Sequence, residues 1–125
     1  VSLSRRACCV ALAFAAGAGA VAAAPSDAEQ ARIDRLIAAV EQNKSVRFVR
    51  NGNDYAGDDA ATFLRRKLAY MGGNVKTVQD FIEQIASRST TSGEIYKVRL
   101  ADGREMPAGD FLRGELARIE SLPKR

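Results

Sequence analysis

Histidine and tryptophan are absent from the chain, and its two cysteines are neighbours near the start, Cys8 and Cys9. Each absence removes a chemistry. Without histidine the chain cannot itself build a Ser-His-Asp triad or a Cys-His dyad. With no cysteine beyond position 9 either, zinc and copper lose their usual ligands. No Walker A loop and no dinucleotide fingerprint occurs: Gly72-Gly73 reads as a helix stop, and "GGNVK" has the spacing of neither. "DGRE", from Asp102 to Glu105, lacks the series of oxygen ligands of a calcium loop. The expectation is a protein without metal or cofactor.

A large excess of either charge is also missing. The 19 basic and 15 acidic residues leave a net charge of +4. Two of the arginines, Arg5 and Arg6, belong to a segment that reads as a secretory signal peptide. They form its positive n-region, and Ala7 to Ala20 form an uncharged stretch around Val10, Leu12 and Phe14. Ala20-Val21-Ala22 places small residues at the −3 and −1 positions of a cleavage site after Ala22. A cut after Ala24 would put Pro25 at +1. The apolar run is too short and too rich in Ala and Gly to span a bilayer. Cys8 and Cys9 precede the apolar core, where no lipid anchor would be attached. "SRRACC" resembles a twin-arginine signal but lacks the bulky apolar residue that should follow, so general export is the better expectation.

Cleavage would remove both cysteines, hence any disulfide or thiolate, and lower the net charge from +4 to +2. That balance is a mixed surface and not a nucleic-acid footprint. The expected organisation is a signal peptide over 1–22, a linker over 23–26 and a single α+β domain over 27–122. The expected location is the periplasm, or outside the cell by secretion, with no stable membrane insertion after cleavage.

Apolar periodicity orders the domain α-ββ-α-α-ββ-α. Ile33, Leu36, Ile37 and Val40 recur at i, i+3, i+4 and i+7 on a helix from Asp27 to Gln42, capped by Ser26 or Asp27. Val46–Arg50 and Asn53–Ala56 read as a hairpin turning at Asn51-Gly52, a pair suited to the positive φ angles of a type I′ turn. That register sets Phe48 opposite Tyr55. A second helix follows, capped by Asp58 or Asp59, with Ala61, Leu64, Leu68 and Met71 on its apolar face. Thr77 and Asp80 form a capping box for a third helix that buries Val78, Phe81, Ile82 and Ile85. Ile95–Leu100 and Arg104–Met106 make a second hairpin through a three-residue loop with Gly103 left-handed, pairing Arg99 with Glu105 and Val98 with Met106. Pro107 closes that strand. A last helix, Ala108–Leu122, buries Phe111, Leu112, Leu116 and Ile119. An isolated hairpin is marginal, so the two hairpins should share one small antiparallel sheet packed against the four helices.

"RNG…FLRRKL" and "ADG…FLRGEL" form a weak internal repeat that relates Gly52 to Gly103 and Phe63 to Phe111. Coincidence between two amphipathic helices explains it as well as two hairpin-helix halves around a pseudo-twofold axis.

"FVRNG…Y", "FLRRKL", "DFIEQIASRSTTSG", "YKVRLADG" and "DFLRGEL" together resemble an uncharacterised family of small secreted bacterial proteins, a domain of unknown function (DUF5329). The resemblance runs roughly from Ile33 to Ile119. The family often has a histidine where Phe63 stands and a tryptophan where Phe111 stands, so no role of either carries over. The resemblance implies secretion and a single compact domain, and it supplies no activity.

"ASRSTTSGEIY" is the segment that most invites a site. Ser87, Ser89, Thr90 and Ser92, with Arg88 as counter-charge and Tyr96 as a stacking face, could line a polar pocket for an anion or a sugar. A loop whose hydroxyls satisfy a helix C-terminus explains the same residues. Arg65-Arg66-Lys67 reads as a solvated face, or as a basic patch with Arg47 and Arg50 toward an anionic envelope polymer. A Ser–Lys dyad of Ser87, Ser89 or Ser92 with Lys67 or Lys97 is the remaining nucleophile option. A carboxylate pair of Asp58-Asp59 with Glu83 or Glu105 is weaker, because those aspartates suit a helix start. The expected function is non-enzymatic binding of an envelope protein or of an anionic or sugar ligand. Arg50, Ser87, Arg88, Ser89, Thr90, Ser92 and Tyr96 are the candidate site. A hydrolase-like enzyme and a structural protein that dimerises by a sheet edge are the alternatives.

Overall fold

The computed structural model describes residues 24–121. The signal peptide expected over 1–22 and the expected helix end at Leu122 lie outside the described residues.

Helix α1 (Asp27–Gln42) starts where Ser26 Oγ accepts the Glu29 amide N–H, which decides between the two expected caps in favour of Ser26. Its stripe of Ile33, Leu36, Ile37 and Val40 is buried to 2% exposure or less. Strands β1 (Arg47–Arg50) and β2 (Asn53–Tyr55) pair Phe48 with Tyr55, Val49 with Asp54 and Arg50 with Asn53. Asn51 and Gly52 turn at φ +51° and +82°, as a type I′ hairpin demands.

Helix α2 (Gly57–Met71) begins without the aspartate cap expected for it. Its N-cap is Ala56, which makes no side-chain cap bond. Asp58 and Asp59 instead occupy the first turn, where carboxylates favour the positive end of the helix dipole. The start is set by close approach. A Cβ on Gly57 would lie 2.3 Å from Val40 O and 2.9 Å from Asn43 O, so only glycine lets α2 abut the end of α1. The buried face of α2 is Ala60, Ala61, Leu64 and Lys67. Met71, expected inside, is 48% exposed, because α2 is already leaving the core when it reaches its last turn.

After a 3-10 turn (Gly72–Asn74), α3 (Val78–Asp80) is a single turn in which Thr77 Oγ1 accepts the Asp80 amide. It widens at once into a π-helix (Phe81–Ile85) closed by Ala86 N–H donating to Phe81 O at 3.1 Å. Phe81, Ile82, Ile85 and Ala86 all lie on its core side. Strands β3 (Lys97–Arg99) and β4 (Glu105–Pro107) pair as expected, Arg99 with Glu105 and Val98 with Met106. Helix α4 (Ala108–Glu120) follows directly, burying Leu112 and Leu116 and half-burying Phe111 and Ile119.

The fold is α+β: four strands in the order β2-β1-β3-β4, all antiparallel, packed by the helices. Strand alternation sends Phe48, Tyr55, Val98 and Met106 to the helix side. Arg47, Asp54, Arg99 and Glu105 take the outer face, where Arg99 links Asp54 on one edge strand to Glu105 on the other, across all four strands. Two cores result. One is helical, around Ile33, Phe81 and Leu112, and the other lies under the sheet, around Val46, Tyr96 and Val98. Phe48, Phe63 and Phe111, each half-buried, join them.

Candidate functional site

The bridge between the two cores is incompletely filled, and two adjoining cavities open there. One, of about 330 Å³, lies between the first hairpin and α2 and is lined by Phe48, Tyr55, Phe63, Leu64, Ala86 and Leu112, among others. The other, of about 230 Å³, lies between α2 and the loop after the π-helix, with Arg66, Lys67, Tyr70 and Thr90 in its wall. Arg50, Phe63, Arg66 and Tyr96 line both.

Arg50 reaches this place because of strand alternation. It lies two residues from Phe48 on β1 and so shares its face, at the open end of the sheet beside the turn. Its guanidinium sits 4.2 Å from the Phe63 ring centroid and 5.1 Å from that of Tyr55. It also donates to Tyr55 Oη at 3.3 Å. Cation–π contact therefore holds the head over an aromatic floor. No carboxylate pairs with it among the described residues.

Lys67 is the second cation, and it is 7% exposed. It falls three residues after Leu64 and seven after Ala60, on the buried stripe of α2. Its ammonium donates to Arg88 O at 2.7 Å and to Tyr96 Oη at 3.1 Å, and it stands 4.8 Å from the Tyr96 ring centroid. An ammonium has three N–H donors, and these two neutral acceptors leave its charge uncompensated. Burial first, and the nearby Arg50 charge second, push its pKa below the usual lysine range. Burial pushes the Tyr96 phenol up, against opposing effects of Arg50 and of a hydrogen bond with Ser89.

The candidate residues therefore separate. Arg50, Ser89, Thr90 and Tyr96 line the cavities. Tyr96 is not the exposed stacking face expected of it. At 7% exposure it is a wall whose ring meets Phe63 edge-on at 5.8 Å, because its place one residue before β3 turns it under the sheet. Ser87 caps the π-helix by donating to Ile82 O at 2.6 Å. The Arg88 side chain is exposed and lines neither cavity, and only its carbonyl takes part, as the acceptor for Lys67. Ser92 Oγ donates to Asn51 Oδ1 at 2.8 Å, pinning the loop to the turn of the first hairpin. Ser89, buried, accepts the Ser92 amide, and Gly93 turns at φ +77°. Thr90 donates to Met71 Sδ. Much of the hydroxyl cluster is thus spent on shaping a tight loop.

The basic run on α2 also divides, since successive helix residues point about 100° apart. Arg65 pairs with Glu41, while Arg66 and Lys67 face the cavities. Among the described residues, no hydroxyl from Ser87 to Ser92 hydrogen-bonds a lysine or a carboxylate, so the Ser–Lys dyad is not formed. Glu105 is engaged by Arg99. Nor do the described residues gather three acidic, histidine or cysteine side chains into a metal-binding group.

Fold and cavities define a small α+β domain with a cationic cleft between its hairpin and its second helix. The chain belongs to the Family of unknown function (DUF5329), whose model matches residues 27–120. A curated relative, the uncharacterized protein YfeK of Salmonella typhimurium, is 37% identical over 68 residues. That match covers 54% of this chain and 57% of the relative, so the chain spans less than two thirds of that protein's length. No solved structure matches. Among the described residues, no helix is long and apolar enough to cross a membrane.

Proposed function

We propose that the chain is an exported, non-enzymatic binding domain of the bacterial envelope, and that its ligand carries negative charge. The observation that carries the reading is Lys67, a buried residue whose ammonium has no carboxylate partner among the described residues, in the same cleft as Arg50. Burying an unpaired charge is costly, and folds rarely retain one without a use. A bound anion would supply the missing counter-charge and the third hydrogen-bond acceptor. The leader-like composition of residues 1–22 supports export. Short edge strands of three residues, one of them ending in Pro107, make edge-to-edge assembly the weaker reading.

Two experiments test this. Acetate and sulfate are titrated at low salt into isotopically labelled protein, beginning at Ala23, while amide shifts are followed. Saturable shifts at Phe63, Lys67, Tyr70 and Tyr96 that vanish in Lys67→Met are expected. Shifts that are absent, or equal in the variant, refute the anion site. Fusing residues 1–26 to a phosphatase active only outside the cytoplasm tests export, and an inactive fusion refutes it.

A further inference from the structure

The two cavities differ in character, and that difference constrains the ligand beyond its charge. The larger runs inward from Arg50 between hairpin and α2 and ends on Val40, Ala108 and Leu112, all buried apolar residues. Aromatic and aliphatic side chains make most of its wall. The smaller holds the Lys67 ammonium, with Tyr70, 83% exposed, at its edge, while Arg66 borders both and Asp59 and Lys97 also line the larger. They meet at Phe63 and Tyr96, beneath the Arg50 guanidinium. A small inorganic anion would use only the second, leaving about 330 Å³ of apolar space unfilled. That volume is within the usual range for small-molecule pockets, and an alkyl chain there would release water from largely apolar walls.

We propose that the ligand is an amphipathic anion, an alkyl chain bearing one anionic head, with the head between Arg50 and Lys67 and the chain in the cavity under Phe48 and Phe63. The inference rests on the anion-binding reading above and adds the second half of the ligand. Arg50 stands at the junction, where its planar head can bond an anion while its lower face stays on the Phe63 ring. The head can be carboxylate or phosphate, since both offer oxygens to an arginine and a lysine. Chain binding needs only the cavity.

The test is a calorimetric series with acetate, butyrate, hexanoate and octanoate, then octyl phosphate, octanol and octylammonium. Each buried methylene should tighten binding about fourfold until the cavity is full. Octanol and octylammonium should bind at least tenfold more weakly than octanoate, and octyl phosphate against octanoate tells which head is preferred. Ala60→Leu, which fills the cavity wall, should flatten the length dependence while leaving acetate unchanged. Thr62→Trp, an exposed position at the mouth, should do the same without touching the core and stands in if Ala60→Leu fails to fold. Octanoate no tighter than acetate overturns this inference and leaves the anion site standing. Octanol as tight as octanoate overturns the anionic head, and with it the anion site. A length dependence intact in both variants puts the chain elsewhere and overturns the assignment.

Discussion

Lys67→Met separates the electrostatics of the cleft from its packing. Methionine keeps most of the buried stem and removes the charge. At pH 7 two effects oppose. The desolvation of the ammonium is relieved, while the half-buried Arg88 O and the buried Tyr96 Oη lose their donor, at a cost of about 1–3 kcal/mol for an acceptor left buried and unpaired. The pH dependence has only one sign. Burial and Arg50 lower the folded-state pKa below the reference value of 10.5. Between that lowered value and 10.5 the unfolded chain binds the proton more tightly than the folded one, so wild-type stability rises with pH through this window. Below the window both states are protonated and the difference is flat. Methionine does not titrate. Urea midpoints of both proteins at pH 7, 8, 9 and 10 should therefore show the wild type gaining on the variant. The gain is about 1.4 kcal/mol for each tenfold by which folding weakens proton binding. Saturating anion should reduce it, because a bound counter-charge favours the ammonium. Parallel curves across the whole range, or a wild type that loses ground as pH rises, would refute an uncompensated buried charge.

Three further substitutions probe the scaffold. Gly57→Ala should destabilise by about 1–3 kcal/mol, as overpacking does, because its methyl must displace the carbonyls of Val40 and Asn43. Gly114→Ala, within α4 and with open space around its Cβ, should stabilise by about 0.4–1 kcal/mol. Equal urea midpoints for the two variants would contradict the close approach of α1 and α2. Ser26→Ala should cost about 1 kcal/mol by orphaning the Glu29 amide, and an unchanged thermal midpoint would show that the cap contributes nothing.

Turn chemistry and strand alternation carry both hairpins, because positive φ at Asn51-Gly52 and at Gly103 fixes the register residue by residue. The 3.6-residue period likewise fixes the buried stripe of α1. What the sequence hid are features set by contacts between elements. The start of α2 depends on carbonyls belonging to α1, and no local pattern around Ala56 shows them. The π-helix is equally hidden, because the stripe Phe81, Ile82, Ile85 and Ala86 suits an α-helix as well. The cleft was legible only in part, since Arg50, Ser89, Thr90 and Tyr96 line it while Ser87, Arg88 and Ser92 do not. Hydroxyl density drew attention to Ser87–Ser92, where most of those groups bond the loop and its neighbours. The informative irregularity was quieter: a lysine at an apolar position of a helix stripe, at the spacing of Ala60, Leu64 and Lys67. Arg50 was equally readable, since alternation from Phe48 sends it inward.

The arrangement of the sheet explains why the cleft opens on one side. The hairpins meet at the central β1–β3 pair, with Phe48 opposite Val98 at its middle. Each hairpin runs directly into a helix bearing a half-buried phenylalanine, Phe63 on α2 and Phe111 on α4. Position by position, Arg50 and Leu100 correspond: each is the last residue before its turn and pairs with the first residue after it. In the second half, Leu100 and Met106 pack on the sheet-side core, and Phe111 meets Phe48 edge-on at 6.0 Å. That corner closes with apolar contact. In the first half, the corresponding corner carries a guanidinium, which stacks on Phe63 but cannot desolvate into the gap beside it. The gap therefore stays open, and the helix face beneath it carries a lysine where the stripe calls for an aliphatic residue. Arg50→Leu should make the first corner resemble the second, with a smaller cavity, a protein at least as stable, and no measurable affinity for octanoate. A leucine variant that still binds octanoate at wild-type strength would show that the asymmetry between the halves has no part in ligand capture.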